Sequence, residues 1–205
     1  MFTFLLKSIG CLPAETDSPA PTRRLADAFP NVPLTDQFGR HFHFRDDFVE
    51  KNKTLVINTM YTTCRGSCPG TSATIESLRQ ELSEVFGKRI TFLSFTLEPL
   101  IDTPAKLLNY AKMYGAGERK SELCDWQFLS ALPKDWEQLR RSLGFFELDA
   151  RADSDITQHA SILLVGNLTK NRWCRLPSEL RKPVLLDSIR RIAGNTIEEQ
   201  YGVES

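Results

Sequence analysis

The chain has no net charge. Lysine plus arginine number 26, and so do aspartate plus glutamate. Such a balance leaves no electrostatic footprint for nucleic acid or for an anionic membrane surface, so neither is expected as a partner. Five cysteines are too few and too scattered for a disulfide scaffold, and the odd count leaves at least one unpaired. Internal repeats and low-complexity tracts are absent. Long apolar runs are absent too: Phe2 to Leu6 falls far short of the roughly 20 residues that cross a bilayer, and Lys7 follows at once. Gly10-Cys11 nevertheless has the small-residue-then-cysteine form of a lipoprotein cleavage site. Pro13, Pro19, Pro21, Pro30 and Pro33 read as an extended tether. The resulting division is an apolar stub and tether over residues 1–30, one domain over 31–196 and a tail over 197–205. A tethered or exported domain is therefore expected. The hydrophobic fraction of 41% is ordinary globular composition, and 205 residues suffice for one sizeable core.

What is present is concentrated at Met60-Tyr-Thr-Thr-Cys64-Arg-Gly-Ser-Cys68-Pro69, two thiols four residues apart. The run Thr54 to Met60 before it is short, apolar and β-branched, the pattern of a central strand covered on both faces. Ile75, Leu78, Leu82, Val85 and Phe86 after it recur at helical spacing, with Gly87 as the stop. Pro69 suits a first helical turn, where a missing N–H costs nothing. Cys68 is thus placed at a helix N-terminus, whose positive end favours a thiolate, and Arg65 adds charge of the same sign. Two thiols so placed can close a disulfide, share a soft metal ion, or attack another disulfide. Cys124 and Cys174 read as small buried hydrophobes.

Further along, Val32 to Phe44 predicts a hairpin, Arg89 to Leu97 a strand, and Thr103-Pro104 the start of a helix reaching Tyr114. Trp126 to Leu129 predicts a short strand and Pro133 to Leu143 a helix closed by Gly144. Ala160 to Val165 reads as a strand, turning at Gly166-Asn167 into Asn171 to Leu176, with a last helix over Val184 to Ala193. Strands alternating with helices, then a terminal hairpin and helix, indicate an α/β domain with a mixed sheet and a thioredoxin-like arrangement.

Only 3 histidines exist, so each can be weighed. His41 and His43 share one face of a strand, and read as a solvated edge rather than a metal pair. His159 follows a polar loop, Arg151 to Gln158, and stands ahead of a buried strand. In a thioredoxin-like sheet that strand start can lie beside the first helix N-terminus. Two thiolates and an imidazole form a soft set that suits Cu(I), and holds Cu(II) with an added weak ligand; zinc accepts it as well.

Tyr61-Thr-Thr-Cys64 to Cys68-Pro69, Asp102-Thr-Pro104, Trp126 and His159-Ala-Ser-Ile-Leu-Leu together resemble the SCO/SenC family of copper-delivery proteins, over roughly residues 31 to 192. The resemblance implies a thioredoxin-like fold and metal ligands at Cys64, Cys68 and His159. It implies copper as the bound ion, and a cytochrome oxidase copper-site subunit or another copper or thiol protein as partner. It also implies a periplasmic or membrane-anchored placement facing an oxidising compartment. Glu98-Pro99 stands where the family usually has Asp-Pro, and Gly166 to Lys170 replaces its usual turn. Two functions follow as expectations: a copper-binding chaperone with a redox-active dithiol, or a thiol–disulfide oxidoreductase that carries no copper. A peroxidase on the same fold ranks below both, because its reactive cysteine would stand alone at the helix start.

Overall fold

The computed structural model describes residues 24–51, 54–159 and 161–202. The apolar stub, Cys11 and most of the proline-rich stretch lie outside the described residues. From the N-terminal side, a 3-10 turn at Leu25–Ala28 leads into β1 (Pro33–Asp36) and β2 (His41–His43), and a π-helical turn spans Phe44–Val49. There follow β3 (Thr54–Met60), α1 (Ser67–Phe86), β4 (Ile90–Thr96), α2 (Pro104–Met113), β5 (Asp125–Ser130) and α3 (Pro133–Leu143). The chain closes with α4 (Ala150–Ser154), β6 (Ile162–Asn167), β7 (Arg172–Pro177), α5 (Lys182–Ala193) and α6 (Ile197–Tyr201). The last of these falls within the stretch read as a tail.

All seven strands form one sheet in the order β2-β1-β5-β4-β3-β6-β7. β3, β4 and β5 run parallel, while β6 is antiparallel to β3 with Ile57 opposite Leu164. The strand alternation of two residues divides the core. Val56 and Met60 join Ile75, Leu78 and Leu82 of α1, Leu107 of α2 and Leu185 of α5 in one layer. Leu55 and Ile57 face the opposite layer with Trp136 and Leu139 of α3 and Phe29 and Phe44 of the N-terminal segment. Every residue of β3 and β4 is buried, as expected for central strands with helices on both sides. This is the thioredoxin-like α/β architecture read from the sequence. The C-terminal ends of β3, β4 and β5 and the start of β6 meet at one end of the sheet.

The predicted elements are present with one shift. β6 does not turn at Gly166-Asn167 but continues through both, and the turn falls at Leu168 to Asn171, with Asn171 at φ 49°. Gly166 is a strand residue because the Trp173 ring on β7 lies against it. A Cβ there would stand 2.1 Å from Trp173 Cζ3. Glycine marks close approach at this position rather than a turn.

Candidate metal and thiol centre

Tyr61 and Cys64 leave the end of β3 in a tight turn, with Cys64 N–H donating to the Tyr61 carbonyl at 3.2 Å. Two side chains from beyond β4 hold that turn. Asp102 accepts from Thr62 N at 3.0 Å and from Thr62 Oγ1 at 2.5 Å, and also from Thr96 Oγ1 at 2.5 Å. Glu98 accepts from Thr63 Oγ1 at 2.9 Å. α1 then starts at Ser67, which puts Cys68 and Pro69 in its first turn.

His159 enters from the long connection between α3 and β6. Its Nε2 lies 3.4 Å from Cys68 Sγ, and its ring stands edge-on to Tyr61 at 5.8 Å between centroids. One ligand atom each from Cys64, Cys68 and His159 lie within 4.8 Å of one another, although His159 is 91 residues from Cys68. This is the one such group of three or more His, Cys, Asp or Glu side chains among the described residues. Structural zinc holds sulfur at about 2.3 Å and imidazole nitrogen at about 2.0 Å, so atoms sharing one ion sit roughly 4 Å apart. The three side chains therefore fit a soft ion with only sub-ångström adjustment. His41 and His43 stay exposed on edge strand β2, away from this group, with His41 Nδ1 at 3.2 Å from Thr35 Oγ1. Cys124 is buried and Cys174 half-buried, both as free thiols outside the group.

The two thiols are unlike each other. Cys68 is 1% exposed, and burial followed by the neighbouring Cys64 pushes its pKa up to about 12. Burial also opposes ionisation of Cys64. There, however, hydrogen bonds from the Cys68 thiol, the Cys68 and Gly66 backbone and the Tyr61 hydroxyl prevail, and its pKa falls below the usual thiol value. Tyr61 itself rises to about 12 through burial and its bond to Cys64. Desolvation outweighs the helix field at Cys68, whereas Cys64, also buried in the preceding turn, collects the stabilising donors.

Three contributors escaped the sequence reading. Tyr61 stood in the motif without a role. Asp102 was read as part of a helix-starting segment, not as the acceptor for a loop 40 residues earlier. The ion pair of Arg140 with Asp153, beside the His159 segment, has no local sequence signal at all. For Asp102 there was one available hint, an acidic residue ahead of a Thr-Pro helix start that already has its own cap in Thr103.

A family model described as SCO1/SenC matches residues 22–191. No curated protein matches the chain. Among solved structures, a SCO1/SenC family lipoprotein from Bacillus anthracis is similar at 18% identity, covering 80% of this chain and 94% of its own, with a TM-score of 0.60. Yeast Sco1 with copper bound is similar at 17% identity, covering 83% and 98%, with a TM-score of 0.58. BsSco, described as having a disulfide switch and as a member of the Sco family of cytochrome c oxidase assembly proteins, is similar at 17% identity, covering 82% and 95%, with a TM-score of 0.57. At these identities the likeness concerns the fold.

Proposed function

The chain belongs to the SCO1/SenC family, and from that premise we propose that it is a copper-binding chaperone whose cargo ion is held by Cys64, Cys68 and His159. The observation that carries this reading is the convergence of two sulfurs and an imidazole nitrogen within 4.8 Å. Two soft thiolates and a neutral nitrogen suit Cu(I), which accepts low coordination. The thiols must lose their protons to bind, so loading releases protons and a Cys64–Cys68 disulfide blocks it. The acceptor under this proposal is the copper-site subunit of a respiratory cytochrome oxidase, supported by the family role stated for BsSco. The lipoprotein description of the Bacillus anthracis relative supports a membrane tether through Cys11, facing an oxidising compartment. No helix among the described residues is long and apolar enough to cross a membrane.

A second reading, thiol–disulfide exchange, is favoured by the inequality of the two thiols. Cys64 as thiolate attacks a partner disulfide and displaces one partner thiolate, giving a mixed disulfide. Cys68 gives up its proton and attacks Cys64, which releases the second partner thiol. The partner gains two electrons and two protons, and the pair is left as a Cys64–Cys68 disulfide.

Titrating reduced protein with Cu(I) against a chromophoric competitor separates the two. The copper reading expects one ion per chain, loss of the complex in Cys64→Ser and Cys68→Ser, and weakened binding in His159→Ala. A chain that takes up no Cu(I) leaves only the exchange reading, and an affinity that ignores His159 overturns the three-ligand site.

A further inference from the structure

His159 is carried by a long connection, residues 144 to 161, between α3 and β6. Connections this long are uncommon in compact domains and are often functional, and this one carries only α4 and a 3-10 turn at Ile156–Gln158. Here one carboxylate gathers several of the ties that hold it. Asp153 accepts from Arg140 Nη1 at 2.7 Å and Nη2 at 2.8 Å, and from Arg141 Nη2 at 2.8 Å. The same carboxylate accepts from Glu147 N at 2.9 Å, and Arg140 Nη1 also donates to the Phe145 carbonyl at 3.0 Å. Residues 145 and 153 of the connection are thus fastened to α3 through the Arg140 and Arg141 guanidiniums, and residue 147 through the Asp153 carboxylate. The pair is well shielded, with side-chain exposures of 14% for Arg140 and 9% for Asp153. Fork-to-carboxylate pairing of this kind fixes orientation as well as position.

From Asp153 the chain runs to His159 as a short strut. Asp155 caps a 3-10 turn at Ile156–Gln158 by accepting from Thr157 N at 2.9 Å and Thr157 Oγ1 at 2.6 Å, and Ile156 packs on the core. The next residue is His159. Behind it lies a cleft of about 450 Å³ lined by Thr59, Leu97, Trp136, Phe145, Ile156 and His159 itself, on the face of the sheet opposite α1. The imidazole therefore stands between the dithiol on one side and open space on the other.

We propose that Arg140 and Asp153 are positioning residues, which hold the connection so that the His159 imidazole faces Cys68 instead of retreating into the cleft. This rests on the ligand role proposed above for His159. Partners that orient a ligand without touching the ion commonly change affinity 10- to 100-fold when removed.

The test is a cycle of four reduced proteins: wild type, Asp153→Asn, His159→Ala and the double variant, each titrated with Cu(I) against a chromophoric competitor. Asp153→Asn is expected to weaken binding about tenfold in the wild-type background and not at all when His159 is already alanine. A pure stability effect would weaken both backgrounds alike, and that result overturns the proposal, as does an unchanged affinity in the single variant. A second readout needs no metal. In the reduced apoprotein, the nuclear Overhauser contact between the His159 and Tyr61 rings is expected in wild type and lost in Asp153→Asn; its persistence overturns the anchor. Arg140→Gln removes the two-pronged partner and leaves only the single Arg141 contact, and is expected to repeat both results in the same direction if Asp153→Asn does not fold. If wild type binds no Cu(I), the copper reading falls and the ring contact alone decides the positioning role.

Discussion

At the scale of single residues, the two thiols divide the work. Cys64 lies below the ordinary thiol value and Cys68 at about 12, so across the neutral and mildly alkaline range only Cys64 ionises appreciably. Alkylation of reduced apoprotein by iodoacetamide should therefore label Cys64 first, with a rate that climbs with pH until the Cys64 pKa is passed. Cys68 should lag by at least about tenfold throughout, since each unit of pKa difference is a factor of ten in thiolate population. Peptide mapping after partial labelling checks this, and equal labelling of both cysteines contradicts it. The spacing of the pair and its placement between strand and helix were legible because both depend on local patterns. The order of ionisation was not. It depends on how deeply α1 sinks its first turn, and on the Tyr61 hydroxyl turning back toward Cys64, neither of which a spacing rule records. A linked effect concerns stability. The folded-state pKa of Cys68 is raised, so the native protein keeps a proton that the unfolded chain has lost between about pH 9 and 12. The Cys68 contribution to stability is accordingly full below that window and declines as pH rises through it, whereas the lowered pKa of Cys64 gives a contribution of the opposite sense, lost as pH falls.

At the scale of elements, the site is assembled by turns at the ends of strands. The β4–α2 turn supplies Asp102 and Glu98, which hold the β3–α1 turn through Thr62 and Thr63. Replacing Asp102 by alanine leaves a backbone N–H and two hydroxyls without their acceptor in a site where Asp102 is 1% exposed. Hydrogen bonds to a charged acceptor are worth roughly 1.5–3 kcal/mol each, but not additively, so a loss of about 3–5 kcal/mol is expected. Denaturant unfolding measures that loss. Faster amide exchange at Thr62 to Cys64 than at β4 would locate it in the thiol-bearing turn, whereas a stability loss below about 1 kcal/mol would show that the clamp is dispensable. The pattern of what sequence reading found follows the same division. β3, β4, α1, α2 and α3 were legible from periodicity, with Pro104 and Pro133 marking helix starts. The β6–β7 turn was misplaced because Gly166 serves Trp173 across the hairpin, and a glycine selected for cross-strand approach looks identical to one selected for a turn. Asp102 with Thr62 and Arg140 with Asp153 are pairings between separate segments, and nothing in either segment alone announces the other.

At the scale of the whole molecule, the site occupies one end of the sheet and the N-terminal segment enters at the other. Leu25 N–H donates to Asn171 Oδ1 at 3.1 Å, at the turn between β6 and β7. β3 spans seven residues between the two ends, roughly 23 Å at strand rise. The dithiol thus lies at the end of the sheet opposite the first described residues. Copper held at this end should nevertheless stabilise the entire domain, because its proposed ligands come from two segments 91 residues apart and come together in this arrangement only on folding. An ion at 100 times its dissociation constant adds about 2.7 kcal/mol when it binds only the native state. For a domain of 150–250 residues, each kcal/mol raises Tm by about 2–4 °C, giving roughly 5–10 °C. Cysteines of the unfolded chain also bind Cu(I), so that range is an upper bound. Thermal unfolding of reduced protein with and without Cu(I) should show the rise, a chelator should abolish it, and His159→Ala should retain only part of it. An identical shift in wild type and His159→Ala would mean that the ion is held by the sulfurs alone, and that the convergence of the third side chain has no energetic consequence.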